Sequence, residues 1–312
     1  MPIVPLSPPV SVHTYGSFDY VAVDARRHRV YAAHTGSHRL LIVDADSGKE
    51  LGQVDVGPVH GVAVDEATGL VYTGDGTDDN VMKVDPVAKK VLAEADVAGP
   101  VDAIAYDPAL HRIYADEDSG TVVYVINAGT MKPIGNVALP GHDEEYLAVD
   151  PVTHVVYQNV PDLSEFVEID PHTLRVTKVV KTPMLTKNHP LQYDAALREI
   201  AVGGKNGVLA VYTPQGRFLG QTAFPKGGDQ CSLDQKSAVL AYASEGVLSV
   251  IQLHANAAPT LLASLNLHAD AHTVGVDERT GDLWTVWAQP NRDKVARYRW
   301  AASPRLQHAL SW

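Results

Sequence analysis

The stretch GPVHGVAVDEATGLVYTG, residues 57–74, holds the pattern that decides the fold. Within it, Val62-Ala63-Val64-Asp65 alternates apolar side chains up to an aspartate, Glu66–Gly69 forms a polar break, and Leu70-Val71-Tyr72 resumes an apolar run. Two short β-branched runs separated by a few polar residues read as strand, turn, strand. The unit recurs as VAVD ending at Asp24, IAYD at Asp107, LAVD at Asp150, LQYD at Asp194, CSLD at Asp234 and VGVD at Asp277, so successive anchor aspartates lie 41, 42, 43, 44, 40 and 43 residues apart. Each second run is followed by a third, such as Leu40–Asp44 or Phe166–Asp170, and a fourth, such as Leu51–Val56.

Four strands in a repeat of about 40–45 residues is the size of a propeller blade. Seven units therefore predict an all-β, seven-bladed β-propeller with four-stranded antiparallel blades around a central channel, one domain over residues 1–312. The outer strand of the last blade has two candidates, Arg305–Trp312 and Val10–Thr14. Either would close the ring and remove an exposed sheet edge.

Composition narrows the function. The chain carries a formal net charge of −12, which disfavours nucleic acid as a partner. Its single cysteine, Cys231, excludes an intramolecular disulfide and a cysteine-built zinc site. No stretch approaches 18 consecutive apolar residues, so no membrane span is expected. The first residues, Met1–Pro9, lack the basic and apolar regions of a secretion signal, as in a cytoplasmic protein or one whose signal has been removed. A monomer acting on a small molecule is the expectation.

A repeat protein can be compared with itself. The residue five before each anchor aspartate, at the entry of the innermost strand, is in blade order Asp19, His60, Asp102, Glu145, His189, Asp229 and His272. All seven are ionisable, whereas the flanking positions show no such bias (Phe18, Val59 and Val101 before; Tyr20, Gly61 and Ala103 after). The histidines fall in blades 2, 5 and 7, the most even spread open to three residues on a seven-membered ring. Imidazoles so placed can converge on one divalent transition metal, leaving an open position for substrate. Nitrogen ligands suit Zn, Cu, Fe or Ni and argue against Mg or Ca. The carboxylates Asp19, Asp102 and Asp229 would orient the histidines, with Glu145 as general base or further ligand. A ring of Asp–His pairs that only neutralise one another at a wet channel mouth fits the same residues.

The loops between second and third strands should open on the same face. They offer His34 as a proton donor, Lys205 as an anion contact and Trp287 as an apolar lid, with Tyr20 and Tyr146 as an aromatic wall. Other motifs fail. Asp75–Asn80 lacks the distal Glu of a calcium loop, Gly203–Gly207 lacks Walker A spacing, and no G-x-S-x-G elbow occurs.

The unit Gly57–Gly74, with its partner runs over Val81–Val97, resembles the YVTN-type seven-bladed propeller repeat family. The resemblance implies the propeller fold and a periplasmic or secreted location, and leaves function open between enzyme and binding scaffold. Other seven-bladed propellers hold redox metals on histidines, which tilts the expected activity toward a metal-dependent oxidoreductase at the channel mouth. A zinc-type hydrolase or lyase at the same site is one alternative. A non-catalytic scaffold for a peptide, glycan or protein is the other.

Overall fold

The computed structural model describes residues 2–142 and 145–300. They form seven antiparallel sheets, one per repeat, and among them the only helical segments are two single 3₁₀ turns, Thr35–Ser37 and Pro161–Leu163. Blade 2 shows the plan: Val59–Asp65 innermost, then Leu70–Asp75, Asn80–Asp85 and Lys90–Asp96, each paired with the next. The other innermost strands are Val21–Asp24, Val101–Asp107, Glu145–Val149, Asn188–Asp194, Gly228–Asp234 and Gly275–Asp277. Each packs against the innermost strand of the following blade, and that of blade 7 packs against that of blade 1, so the ring is closed.

The anchor aspartate recurs because it builds the turn after the innermost strand. In every blade its carboxylate accepts a backbone N–H two or three residues on, from Arg27, Ala67, Ala109, Val152, Ala196, Lys236 and Arg279, at 2.8–3.0 Å. Aspartate offers the backbone this local partner in a way few side chains can. The fourth residue after the anchor is left-handed in all seven blades: His28, Gly69, His111, His154, Arg198, Ala238 and Gly281. That turn reverses the chain into the second strand, where the seventh residue after the anchor is buried. Tyr31, Tyr72, Tyr114 and Tyr157 hold this place in blades 1–4 and Trp284 holds it in blade 7.

Ring closure comes from the N-terminus. Ile3–Pro5 and Val10–Ser11 both pair antiparallel with Lys294–Trp300, the third strand of blade 7. Ile3 and Val12 are buried in the adjoining core. The alternative closing strand, Arg305–Trp312, lies outside the described residues.

Candidate functional site

The innermost strands of blades 2–6 share a feature invisible in sequence. Each carries one residue more than its partner strand at the ring position, with pairing interrupted between Val59 and Val62, Val101 and Ile104, Glu145 and Leu147, Asn188 and Leu191, and Gly228 and Gln230. A bulge locally re-aims a side chain, and here five bulges hold His60, Asp102, Glu145, His189 and Asp229 at the mouth. With Asp19 and His272 they line a cavity of about 330 Å³.

The side chains turn along the ring, toward their neighbours. His60 Nδ1 lies 2.9 Å from Asp19 Oδ2 and 3.3 Å from Asp102 Oδ1. His189 Nδ1 is 3.2 Å from Glu145 Oε1, and its Nε2 is 2.8 Å from Asp229 Oδ1. Asp229 also takes His272 Nδ1 at 2.6 Å and Lys205 Nζ at 2.5 Å. Gln230 donates to Asp19 at 3.1 Å. The expected three-histidine centre is therefore corrected. Each imidazole is drawn to flanking carboxylates, and among the described residues the one group of histidine and acid donors lying within 4.8 Å of one another is Asp19, His60 and Asp102.

These contacts set the protonation states. Burial alone would lower His60, but hydrogen bonds to Asp102 and Asp19 outweigh it and raise the imidazole to about 10. His189 reaches about 10 in the same way, through Glu145 and Asp229, and His272 is raised through Asp229. Asp229 is pushed up by burial, yet its bonds to His189 and His272 and the charge of Lys205 hold it well below the usual carboxylate range. Glu145 goes the other way. Burial, with the charges of Asp102 and Asp229, lifts it to about 7 against the opposing pull of His189. No histidine stands between Asp102 and Glu145 in ring order.

Beneath the ring the channel is crossed by two tyrosines. Tyr20 of blade 1 donates from its hydroxyl to Asp102 Oδ2 in blade 3 at 3.3 Å. Tyr146 of blade 4 donates to the Cys231 carbonyl in blade 6 at 2.6 Å. Their rings meet at a centroid distance of 5.3 Å. Contacts between blades so far apart must span the axis, so these aromatics form a floor where a wall was expected, both nearly buried. Tyr146 crosses by taking a left-handed backbone, φ 63°, within the bulge of blade 4.

The remaining expected positions divide. Lys205 reaches the ring through Asp229. His34 does not face the cavity. It is fully buried, stacked on Phe18 at 4.1 Å, with Nε2 2.7 Å from Asp293 and Nδ1 2.9 Å from Thr14. Burial pulls its pKa down against the opposing charge of Asp293. It ties the N-terminal segment to blade 7 and is no proton donor to the mouth. Trp287 is likewise buried, in the blade 6–7 core, with its ring stacked against His268 at 6.0 Å, and forms no lid. Ser17, Thr35, Asp118 and Gln230 line the cavity without having been anticipated. Of these, Gln230 had a signal: it directly follows a ring residue. Gly76 matters too, because a Cβ there would stand 2.4 Å from His60 Nε2.

A ring of blades closed by its own N-terminus, with a charged mouth over a plugged channel, places the chain in the class of seven-bladed β-propellers. It superposes on a chain of Kuenenia stuttgartiensis hydrazine synthase with a TM-score of 0.82 at 14% identity, covering 94% of this chain and 98% of that one. The RRP9 WD40 repeats superpose at a TM-score of 0.83 and 12% identity, covering 95% and 99%. At these identities the likeness shows the fold alone. No protein-family model matches the sequence, and neither does any curated protein.

Proposed function

We propose that the channel mouth is the active site of a metal-dependent enzyme for a small polar molecule, with Asp19, His60 and Asp102 holding one divalent first-row ion. The supporting observation is the clustering of three donor atoms within 4.8 Å on a cavity of about 330 Å³. Metal bonds of about 2.0–2.2 Å at right or tetrahedral angles set donors roughly 2.9–3.5 Å apart. His60 Nδ1 already stands 2.9 and 3.3 Å from the two carboxylates, so an ion would replace the shared proton with little movement. One imidazole and two carboxylates suit Zn, Fe or Mn better than Cu, whose affinity favours nitrogen-rich sets.

Such an ion supplies Lewis acidity and lowers the pKa of a water it binds. Glu145 lines the same cavity, and a carboxyl near 7 is poised to accept a proton at neutral pH. This pairing favours hydrolysis or elimination over the redox chemistry that analogy with other histidine-bound metals in propellers suggested. Metal analysis of untagged protein tests it. Near one ion per chain is expected, falling to background in Asp19→Asn and His60→Ala. An absence of bound metal, with no thermal shift on adding Zn, Fe or Mn, would refute it.

One observation favours the scaffold alternative: the three ring histidines are each already paired with a carboxylate, so the ring can neutralise itself without an ion. The same metal measurement separates the two.

A further inference from the structure

Beside the central cavity lies a lobe of about 320 Å³ that shares Asp229 and His272 with it and extends toward blades 6 and 7. Two cations line it, Lys205 and His272, both hydrogen-bonded to Asp229. Asp229 occupies one N–H of Lys205 and only Nδ1 of His272, leaving further N–H donors on both for a ligand. Because one carboxylate grips both, they are held in place before anything arrives. Toward the rim the lobe is lined by two exposed acids, Glu245 and Asp270. Its wall includes the apolar surface of Phe18 and Ala288.

The charges select the ligand. Lys205 and His272, with Asp229 between them, make the inner end net positive, the rim acids Glu245 and Asp270 make the outer end negative, and the lobe as a whole carries a small negative excess. A plain anion meets that excess. A plain cation meets the two inner donors. A molecule carrying both charges satisfies each end, and the volume stands at the small end of ligand pockets, about 300–1,000 Å³.

We propose that this lobe binds a small zwitterion of the amino-acid type, its carboxylate on Lys205 and His272, its ammonium toward Glu245 and Asp270, and its carbon chain along Phe18. The proposal deepens the reading of the mouth as an enzyme site by naming a substrate class, yet uses none of the three metal-holding residues. Inner contacts carry most of the affinity, since exposed ion pairs add little.

Calorimetric titration of metal-stripped protein with the common L-amino acids tests this, with acetate and methylamine as single-charge controls. At least one amino acid should bind tenfold or more tighter than either control. Lys205→Met should weaken it by tenfold or more, Lys205→Arg should restore most of the loss, and Glu245→Gln should weaken it two- to threefold. Lys205 is about one-third exposed (35%), and an unchanged melting temperature of the ligand-free variant shows that loss of binding is local. Acetate binding as tightly as the amino acids would overturn the proposal, as would no binding at all, or binding that appears only with metal and survives Lys205→Met. Metal content, measured separately, decides the enzyme reading, so each can fail alone.

Discussion

Replacing His189 by glutamine separates a charged ring from a neutral one. His189 sits between Glu145 and Asp229 with only 12% of its side chain exposed. Glutamine keeps the approximate length and one donor but loses the charge, so one of two charge-assisted bonds disappears and two acids lose the cation between them. Hydrogen bonds to charged groups contribute about 1.5–3 kcal/mol. With the added repulsion the expected loss near neutral pH is about 2–4 kcal/mol, or roughly 3–6 °C in melting temperature for a chain of this size. The pH profile carries the sharper test. The histidine pKa rises from 6.5 in the unfolded chain to about 10 in the fold. Its contribution is therefore complete below 6.5 and drains away as pH rises through about 10. The gap between wild type and His189→Gln should be widest near pH 6.5 and close to about 1 kcal/mol or less by pH 10.5. Thermal unfolding followed by circular dichroism in metal-chelating buffer reads this directly. A gap that stays constant across that range would show that His189 is neutral, and the account of the ring as alternating charges would fall.

Two further outcomes follow from the geometry. Gly76→Ala should lower the melting temperature by only a degree or two, since the atom its Cβ meets at 2.4 Å is the tip of His60. Displacing that imidazole should weaken metal uptake tenfold or more by equilibrium dialysis, and unchanged uptake would remove His60 from the ligand set. Deleting residues 2–12 strips both closing strands from Lys294–Trp300. Light scattering should then show oligomers formed through the bared edge, with melting at least about 10 °C lower, and a stable monomer would mean that blade 7 closes otherwise.

The repeat was legible because each blade needs the same turn, and Asp65 and its six equivalents make it with the same carboxylate bond. The ring position could be found for the same reason: equal offsets along equal blades land at equal heights. Where the histidines point was not legible. It depends on bulges such as the one between Val59 and Val62, and an extra residue in one strand only shows once its partner is in place. His34 and Trp287 misled because a residue at the end of the second strand looks solvent-bound in sequence. Their burial comes from chain far away, the N-terminal Thr14 and the blade 7 Asp293 for His34, and the blade 6–7 core for Trp287. The floor tyrosines were visible as neighbours of ring residues, but their reach across the axis depends on the left-handed backbone of Tyr146.

The ring of ionisable residues has seven members, and seven is odd. A closed circle with an odd number of places cannot alternate two signs all the way round, so some neighbouring pair must share one. Here that pair is Asp102 and Glu145, at the junction of blades 3 and 4, and every other junction joins an acid to a histidine. The mismatch is a consequence of blade number before it is a choice of side chain. A six- or eight-bladed relative with the same alternation would have no such place, and a carboxyl in its ring would be raised by burial without a like-charged neighbour adding to it.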